Sequence, residues 1–231
     1  MAHTVSNYDD FALIYNRHWG PRYAANALET LETLVLSRIP TGGRILDLCC
    51  RAGQVSRILT DRGFDVVGLD ASPALVGIAR KNAPNGHFEV ADAKSFSSSD
   101  RFQAAISLND SLNHLLRIED LRSTFLSVYK CLVPGGAFLF DVNLAHKYQT
   151  SWAGSFSIVE EDAVCAVVAT TDMEQRQQDS MPRCFCQPRD YGPVRTSGCC
   201  RLGIHPMTCA PPWLRSGLLM FVSRIERVPS L

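Results

Sequence analysis

Between Arg44 and Asn143 the chain alternates short, continuously apolar runs with segments of helical period. The apolar runs are RILDLC, DVVGLD, HFEVAD, FQAAISLND and AFLFDVN, and the helical segments among them are QVSRILTDRG, PALVGIARKNA and RIEDLRSTFLSVYKCL. Runs that stay apolar, instead of alternating with polar residues, suit strands covered on both faces. Strand and helix repeated in this way predict an α/β fold, a doubly wound and mostly parallel sheet running through residue 142. Upstream, YAANALETLETLVLSR places Ala24, Leu28, Leu31, Val35 and Leu36 near helical spacing, so an amphipathic helix is predicted over 23–38, closed by Pro40 and Gly42-Gly43. Downstream, FSIVEEDAVCAVVATTD sets two β-branched runs about Glu160-Glu161-Asp162, the pattern of a small antiparallel hairpin.

Beyond Gln175 neither period survives. Residues 181–215 hold six prolines and five cysteines, and only GLLMFVSRI, 217–225, regains the pattern of a strand. Three parts are therefore expected: a helical segment over 1–40, a core with its hairpin over 41–174, and an atypical Cys/Pro/Arg-rich tail over 175–231, where poor order is expected.

Charge sharpens this division. Lys and Arg balance Asp and Glu at 23 each, yet residues 1–174 hold 15 of the bases against 20 of the acids, and the remainder has eight arginines, no lysine and three acids. An acidic core repels phosphate, so a small-molecule acceptor is the expected partner and nucleic acid is not; the tail's arginines have no stacking aromatics regularly interleaved with them. At 231 residues, 46% apolar and 20% charged, the chain is expected to fold around one main core. The opening MAHTVSNYDD has no basic start followed by an apolar stretch, and no run reaches the roughly 18 apolar residues of a membrane helix. No membrane partner and a cytoplasmic location are expected, with the nine cysteines reduced. Cys184, Cys186, Cys199, Cys200, His205 and Cys209 lack paired C-x-x-C spacing, and no metal is expected there.

Ligands of open parallel sheets bind at the carboxyl ends of the strands, near the point where strand order reverses. Asp47 stands near the end of the first apolar run, Gly53 permits close backbone approach, and QVSRIL then starts a helix whose free N–H groups suit an anionic group. A second acid, Asp70, ends the next run, where a carboxylate can accept both hydrogens of a ribose diol. This pair suggests a nucleoside site, and the G-x-G-x-x-G of a dinucleotide site is missing. Asp47 also reads as a cap on the neighbouring loop, and Ser72 with Pro73 as a helix start.

The order of elements resembles the class I S-adenosylmethionine-dependent methyltransferases. Asp47 to Gly53, D-L-C-C-R-A-G, resembles their first motif; VVGLDAS the second; VADA the third; AISLNDSLNHL and LVPGGAFLFDVN the fourth strand and the turn before the fifth. The resemblance covers about residues 8–172 and implies a Rossmann-like fold with S-adenosyl-L-methionine as cofactor. It implies that Asp47, Cys49, Cys50, Arg51, Ala52 and Gly53 cradle the cofactor, that Asp70 with Ala71 and Ser72 holds the ribose, that Asp92 with Ala93 meets the adenine, and that Asn109 and Asp110 lie beside the sulfonium. SNYDDFALIYNRHW resembles a lid segment, in which Tyr8 and Tyr15 cover the methionyl end and His18 or Trp19 faces the acceptor; the other reading is an aromatic face packed on the core. Asn113 and His114 are the candidates to orient or deprotonate an acceptor, with helix capping as the plain alternative. Asp141 and Asn143 are acceptor-pocket candidates.

Two glycines of the first motif are replaced by Cys49 and Arg51. Cys49 is tolerated if its φ is negative, whereas Arg51 in a glycine conformation is strained and needs an exit for its side chain. Arg51 either reaches the methionyl carboxylate as a counter-ion or blocks the pocket. In-line methyl transfer to a small acceptor is the leading expectation. A non-catalytic relative with impaired cofactor binding is the alternative, and a nicotinamide-dependent oxidoreductase is disfavoured by the missing glycine motif.

Overall fold

The structure is a computed structural model and describes residues 8–143, 154–169, 183–188, 199–201 and 219–224. Its main sheet contains β1 (Arg44–Leu48), β2 (Asp65–Asp70), β3 (His87–Val90), β4 (Phe102–Ser107), β5 (Leu132–Val142) and, closing one edge, β10 (Leu219–Arg224). The order is β10-β5-β4-β1-β2-β3, with every neighbour parallel except β10 against β5. Strand order thus reverses between β1 and β4, and the connections leaving those two strands part to opposite faces.

The continuously apolar run of β1 is explained by what covers it. Ile45 packs against Ala27 and Leu31 of α2 (Gly20–Leu34) and Leu59 of α3 (Gln54–Asp61). Leu46 and Leu48 point the other way, onto Leu121 and Val128 of α5 (Ile118–Cys131). Alternate residues face opposite layers and both layers are apolar, so no polar position interrupts the strand. The remaining crossover helix, α4 (Pro73–Asn82), starts where expected: Pro73 occupies the first turn, and the Ser72 hydroxyl accepts from the Leu75 N–H at 3.1 Å.

Some boundaries move. The helix expected over 23–38 is α2 over Gly20–Leu34, begun three residues earlier because Pro21 fits its first turn, and followed by a separate turn of 3₁₀ helix over Leu36–Arg38. Pro134-Gly135-Gly136 lies inside β5, and the pairing with β4 shifts register between Phe102 and Ala104 to take it up.

The predicted hairpin is present, as β6 (Gly154–Val159) and β7 (Ala163–Ala169), pairing antiparallel about residues 160–162. It is extended by β8 (Arg183–Pro188) and β9 (Cys199–Arg201) into a second, four-stranded sheet. These two strands fall in the stretch where no period was legible, whereas β10 lies within the strand pattern expected over 217–225; His205 and Cys209 lie outside the described residues. Among the described residues, no helix is long and apolar enough to cross a membrane.

The N-terminal segment closes over the carboxyl edge of the sheet. Ala12, Ile14 and Tyr15 of α1 (Ala12–His18) pack on Ala52, Leu75, Ala163 and Cys165. At the far end Arg17 reaches both oxygens of Asp162 at 2.7 Å and also pairs with Glu160, which accepts from His18 Nε2 at 2.8 Å. The helix is clasped to the hairpin turn.

Candidate functional site

The connection after β1 runs Cys49-Cys50-Arg51-Ala52-Gly53 before α3 begins, and three of its residues are left-handed: Cys49 at φ 62°, Arg51 at 53° and Gly53 at 74°. Non-glycine residues rarely adopt this region and hold it only when their surroundings insist. Asp70 supplies that insistence. Its Oδ2 accepts from the Arg51 N–H at 2.9 Å and its Oδ1 from the Ser72 N–H at 2.9 Å, so one carboxylate at the tip of β2 ties together the loops after β1 and β2. It is buried at 8% exposure, and burial raises its pKa.

Asp47 points from β1 under the same loop, where Oδ2 accepts from Ser56 Oγ at 2.6 Å. Burial pushes its pKa from an ordinary 3.8 up to about 6, against the opposing pull of the Ser56 hydrogen bond. A folded pKa above the unfolded one means that ionising Asp47 costs folding energy: the cost is absent below about pH 4, grows between pH 4 and 6, and is complete above 6. Asp47→Asn has no such dependence. Urea denaturation at a series of pH values is therefore expected to show the stability of the variant relative to wild type rising by about 3 kcal/mol between pH 4 and 7; a constant difference would contradict a buried, protonatable Asp47.

Beyond β4 the backbone again turns left-handed, at Asn109 (φ 59°) and Asp110 (φ 50°). Here Asp141 of β5 is the organiser. It accepts the Asp110 N–H at 3.1 and 3.2 Å and the Tyr23 hydroxyl at 3.1 Å, and that hydroxyl in turn accepts the Asn109 N–H at 2.7 Å. Asn143 donates to Asp110 Oδ2 at 3.0 Å.

The lid meets this edge through its aromatics. Tyr15 OH receives Arg51 Nη1 and Asn109 Nδ2, both at 3.1 Å, while Arg51 Nη2 donates to the Asn109 carbonyl. The guanidinium also stacks over the Tyr15 ring, 5.2 Å from its centre. Tyr8 OH lies 2.6 Å from His114 Nε2, its ring edge-on to the imidazole, and burial raises its pKa. Asn16 accepts from Gln54 at 2.8 Å and from Asn82 at 2.7 Å, fixing α1 to α3 and α4.

Among the described residues, two hollows lie on the carboxyl edge. One, of about 20 Å³, lies among Tyr15, Tyr23, Asp47, Cys49 and Arg51. The other, of about 210 Å³, is lined by Tyr23, Asn26, Thr30, Asp110, Asp141 and Asn143. A larger hollow of about 410 Å³ opens beside Pro134 and Gly136, but its lining has no carboxylate or imidazole and it sits at the amino-terminal ends of the strands, where such sheets do not bind ligands.

The expected cradle residues come together in part. Asp47, Arg51, Asp70, Asn109, Asp110 and Tyr15 form one connected group. Cys49 lines the small hollow in the left-handed region, so the negative φ that would make it a mild replacement is not met, and burial pushes its thiol up to about 12. Cys50 packs behind the loop with Val76, Ala79 and Phe88; Ala52 is fully buried under the lid, and Ala93 belongs to the main core. Gly53 was expected to make room for a ligand, yet a Cβ there would meet Ala79 Cβ at 2.9 Å and Cα at 3.0 Å, so it makes room for α4. Asp92 is exposed and bonds Lys94, while Ala71 is exposed and Ser72 buried as a cap.

Asn113, expected beside the acceptor, is 2% exposed and exchanges two hydrogen bonds with the Asn143 backbone, at 2.8 and 2.9 Å, which directs it inward as a brace. His18 lies on the surface in the hairpin clasp, and Trp19 stacks between Phe11 and Phe156. Tyr23, Ser56 and Asn16 were not anticipated. Tyr23 is the one with a signal, a phenol on the buried side of a predicted amphipathic helix.

A sheet that reverses order between β1 and β4, acids at adjacent strand tips on that reversal, and a helical cover define an α/β protein of the class I methyltransferase type. The chain belongs to the methyltransferase-domain family, whose pattern residues 16–179 match. It is 35% identical over 129 residues to a Bacillus subtilis protein named as the methyltransferase YqeM, covering 54% of this chain and 52% of that one. It is 30% identical over 137 residues to the dTDP-3-amino-3,4,6-trideoxy-alpha-D-glucopyranose N,N-dimethyltransferase of Streptomyces venezuelae, covering 59% and 57%. The chain thus spans little more than half the length of these relatives. Among solved structures it shares its fold with CalS10 of Micromonospora echinaspora, an S-adenosylmethionine-bound amino pentose methyltransferase, with TM-score 0.55 and 18% identity over 93% of this chain and 78% of that one.

Proposed function

We propose that this protein is an S-adenosylmethionine-dependent methyltransferase acting on a small polar molecule in the cytoplasm. The observation that carries the reading is Asp70: a buried carboxylate at the β2 tip, between two loops, with both oxygens turned to hydrogen-bond donors. The family membership supports the reaction class, and the lack of any membrane-crossing helix among the described residues is in keeping with the location.

The fit to the cofactor is good in the acceptors and poor in the space. On this reading Asp70 takes the ribose diol, Asp92 the adenine amino group, and Asp47 with the Asn109 carbonyl the methionyl end. The hollow at the β1 tip, among Tyr15, Tyr23, Asp47, Arg51 and Asn109, holds about one water in this closed arrangement, against the roughly 300 Å³ or more of a small-molecule site. Binding requires the Arg51 side chain and the tyrosines of the lid to move aside. When bound, the cofactor supplies a methyl group made electrophilic by positive sulfur. The chain's own contribution is then positioning, which can supply most of the acceleration.

The 210 Å³ hollow is the proposed acceptor pocket. Asp110, Asp141 and Asn143 line it with acceptors, suiting an amine or hydroxyl compound and opposing phosphate. His114, held by Tyr8, is the proposed proton acceptor, and Asn113 a brace for it. The relatives named for amino-sugar methylation make a small amine the first acceptor to try.

Calorimetric titration with S-adenosylmethionine and with NAD, followed by transfer of a labelled methyl group to a panel of small amines and alcohols, tests the reading. Heat with S-adenosylmethionine alone and label on a small acceptor are expected. Heat with NAD alone would overturn it. The crowding at Arg51 favours a second reading, a methyltransferase-fold protein that binds no cofactor; silence with S-adenosylmethionine in wild type and in Arg51→Gly alike would establish that one.

A further inference from the structure

The hollow at the β1 tip is lined by a cation that belongs to the protein. Arg51 stands at φ 53° in a loop whose counterpart in the first motif has glycine, and its side chain borders that hollow. Its guanidinium is forked between the Tyr15 hydroxyl and the Asn109 carbonyl and stacked on the Tyr15 ring, every one of these partners being at the expected cofactor edge. Asp47, Asp70, Asp110 and Asp141 surround that edge, one from each of β1, β2, the loop after β4, and β5. An acidic recess of this kind suits a positively charged, hydrogen-bond-donating group, and Arg51 provides one.

We propose that Arg51 is a tethered occupant of the cofactor cleft, seated where the cationic end of S-adenosylmethionine would bind, so that the cofactor binds only by displacing it. The proposal rests on the methyltransferase reading and adds what limits it. The tether gives Arg51 a high local concentration, and its partners are the ones a ligand must recruit. The apparent affinity is the intrinsic one reduced by the fraction of molecules with the side chain swung out. Tyr15 couples this to the lid, since it bonds the guanidinium from above and rides on α1.

Two variants isolate the effect. Arg51→Gly removes the side chain and relieves the left-handed backbone; Arg51→Ala removes the guanidinium and keeps the backbone strain. Calorimetric dissociation constants for S-adenosylmethionine are measured for both and for wild type, with thermal midpoints to confirm that each is folded. Both variants are expected to bind at least about tenfold more tightly than wild type. Equal affinity in all three, or tighter binding by wild type, would overturn the proposal and leave the methyltransferase reading standing. A gain in Arg51→Gly alone would overturn it in favour of backbone relaxation. No binding in any of the three, with all folded, would remove the methyltransferase reading itself and the proposal with it.

Discussion

Asp70→Ala is expected to lose about 2–4 kcal/mol of folding stability and to weaken S-adenosylmethionine binding by roughly a hundredfold. The stability estimate follows from the Arg51 and Ser72 N–H groups, each left without its acceptor at about 1–3 kcal/mol, partly offset because a buried carboxylate no longer has to be desolvated. The loop after β1 holds left-handed residues at 49, 51 and 53, and Asp70 is a tie that keeps the middle one there. The loss of affinity follows from removing the proposed charge-assisted, two-oxygen contact to the ribose, together with the disordering of the loop after β1. Urea denaturation reads the first effect in the wild-type background. Calorimetry reads the second in the Arg51→Gly background, where binding is expected to be tightest. Asp92→Ala is the comparison: this carboxylate is exposed, so its melting midpoint is expected to stay where it is. If Asp70→Ala also leaves both readouts unchanged, the tie across the two loops has no energetic content.

Gly53→Val is expected to be the most damaging single change in the loop, at about 2–5 kcal/mol. Two costs add. A β-branched residue at φ 74° is strained by roughly 1–2 kcal/mol, and its Cβ would sit 2.9 Å from Ala79 Cβ and 3.0 Å from Ala79 Cα, an overpacking worth about 1–3 kcal/mol more because helix backbone cannot step aside. In a chain of this size that lowers the thermal midpoint by roughly 10 °C or more. Gly63→Ala separates the two costs, since Gly63 has φ 84° and nothing within 4 Å of an added Cβ. Its midpoint is expected to fall by only a few degrees. Equal losses at the two positions would mean that the contact between the loop and α4 does not matter.

The sheet was legible because its strands are covered on both faces, which writes them as unbroken apolar runs such as DVVGLD, while the helices between keep one polar side. The acids at 47 and 70 were legible because strand ends are the places where a doubly wound fold presents ligands. What escaped has a common cause, partners on other elements of the fold. Ser56 matters through Asp47, Tyr23 through Asp141, and Asn16 through Gln54 and Asn82, and a single residue carries no mark of such a pairing. Gly53 was read as room for a ligand, and the structure shows α4 against it, because a helix backbone and a bound molecule demand the same missing Cβ. The sign of φ at Cys49 stayed open in the sequence because a small side chain does not fix the region, and the loop around it made the choice. The strands of the second sheet beyond β7 lie in a stretch of proline, cysteine and arginine that carries no periodic signal.

Tyr23 forms part of the wall of both hollows, and its hydroxyl is held by Asp141 on one side and the Asn109 amide on the other. A partition one phenol thick cannot be redrawn for one compartment alone. Widening the proposed acceptor pocket for a bulkier guest would press this ring toward the smaller hollow, or release the amide that shapes it, so on the proposed reading substrate range and cofactor grip would change together.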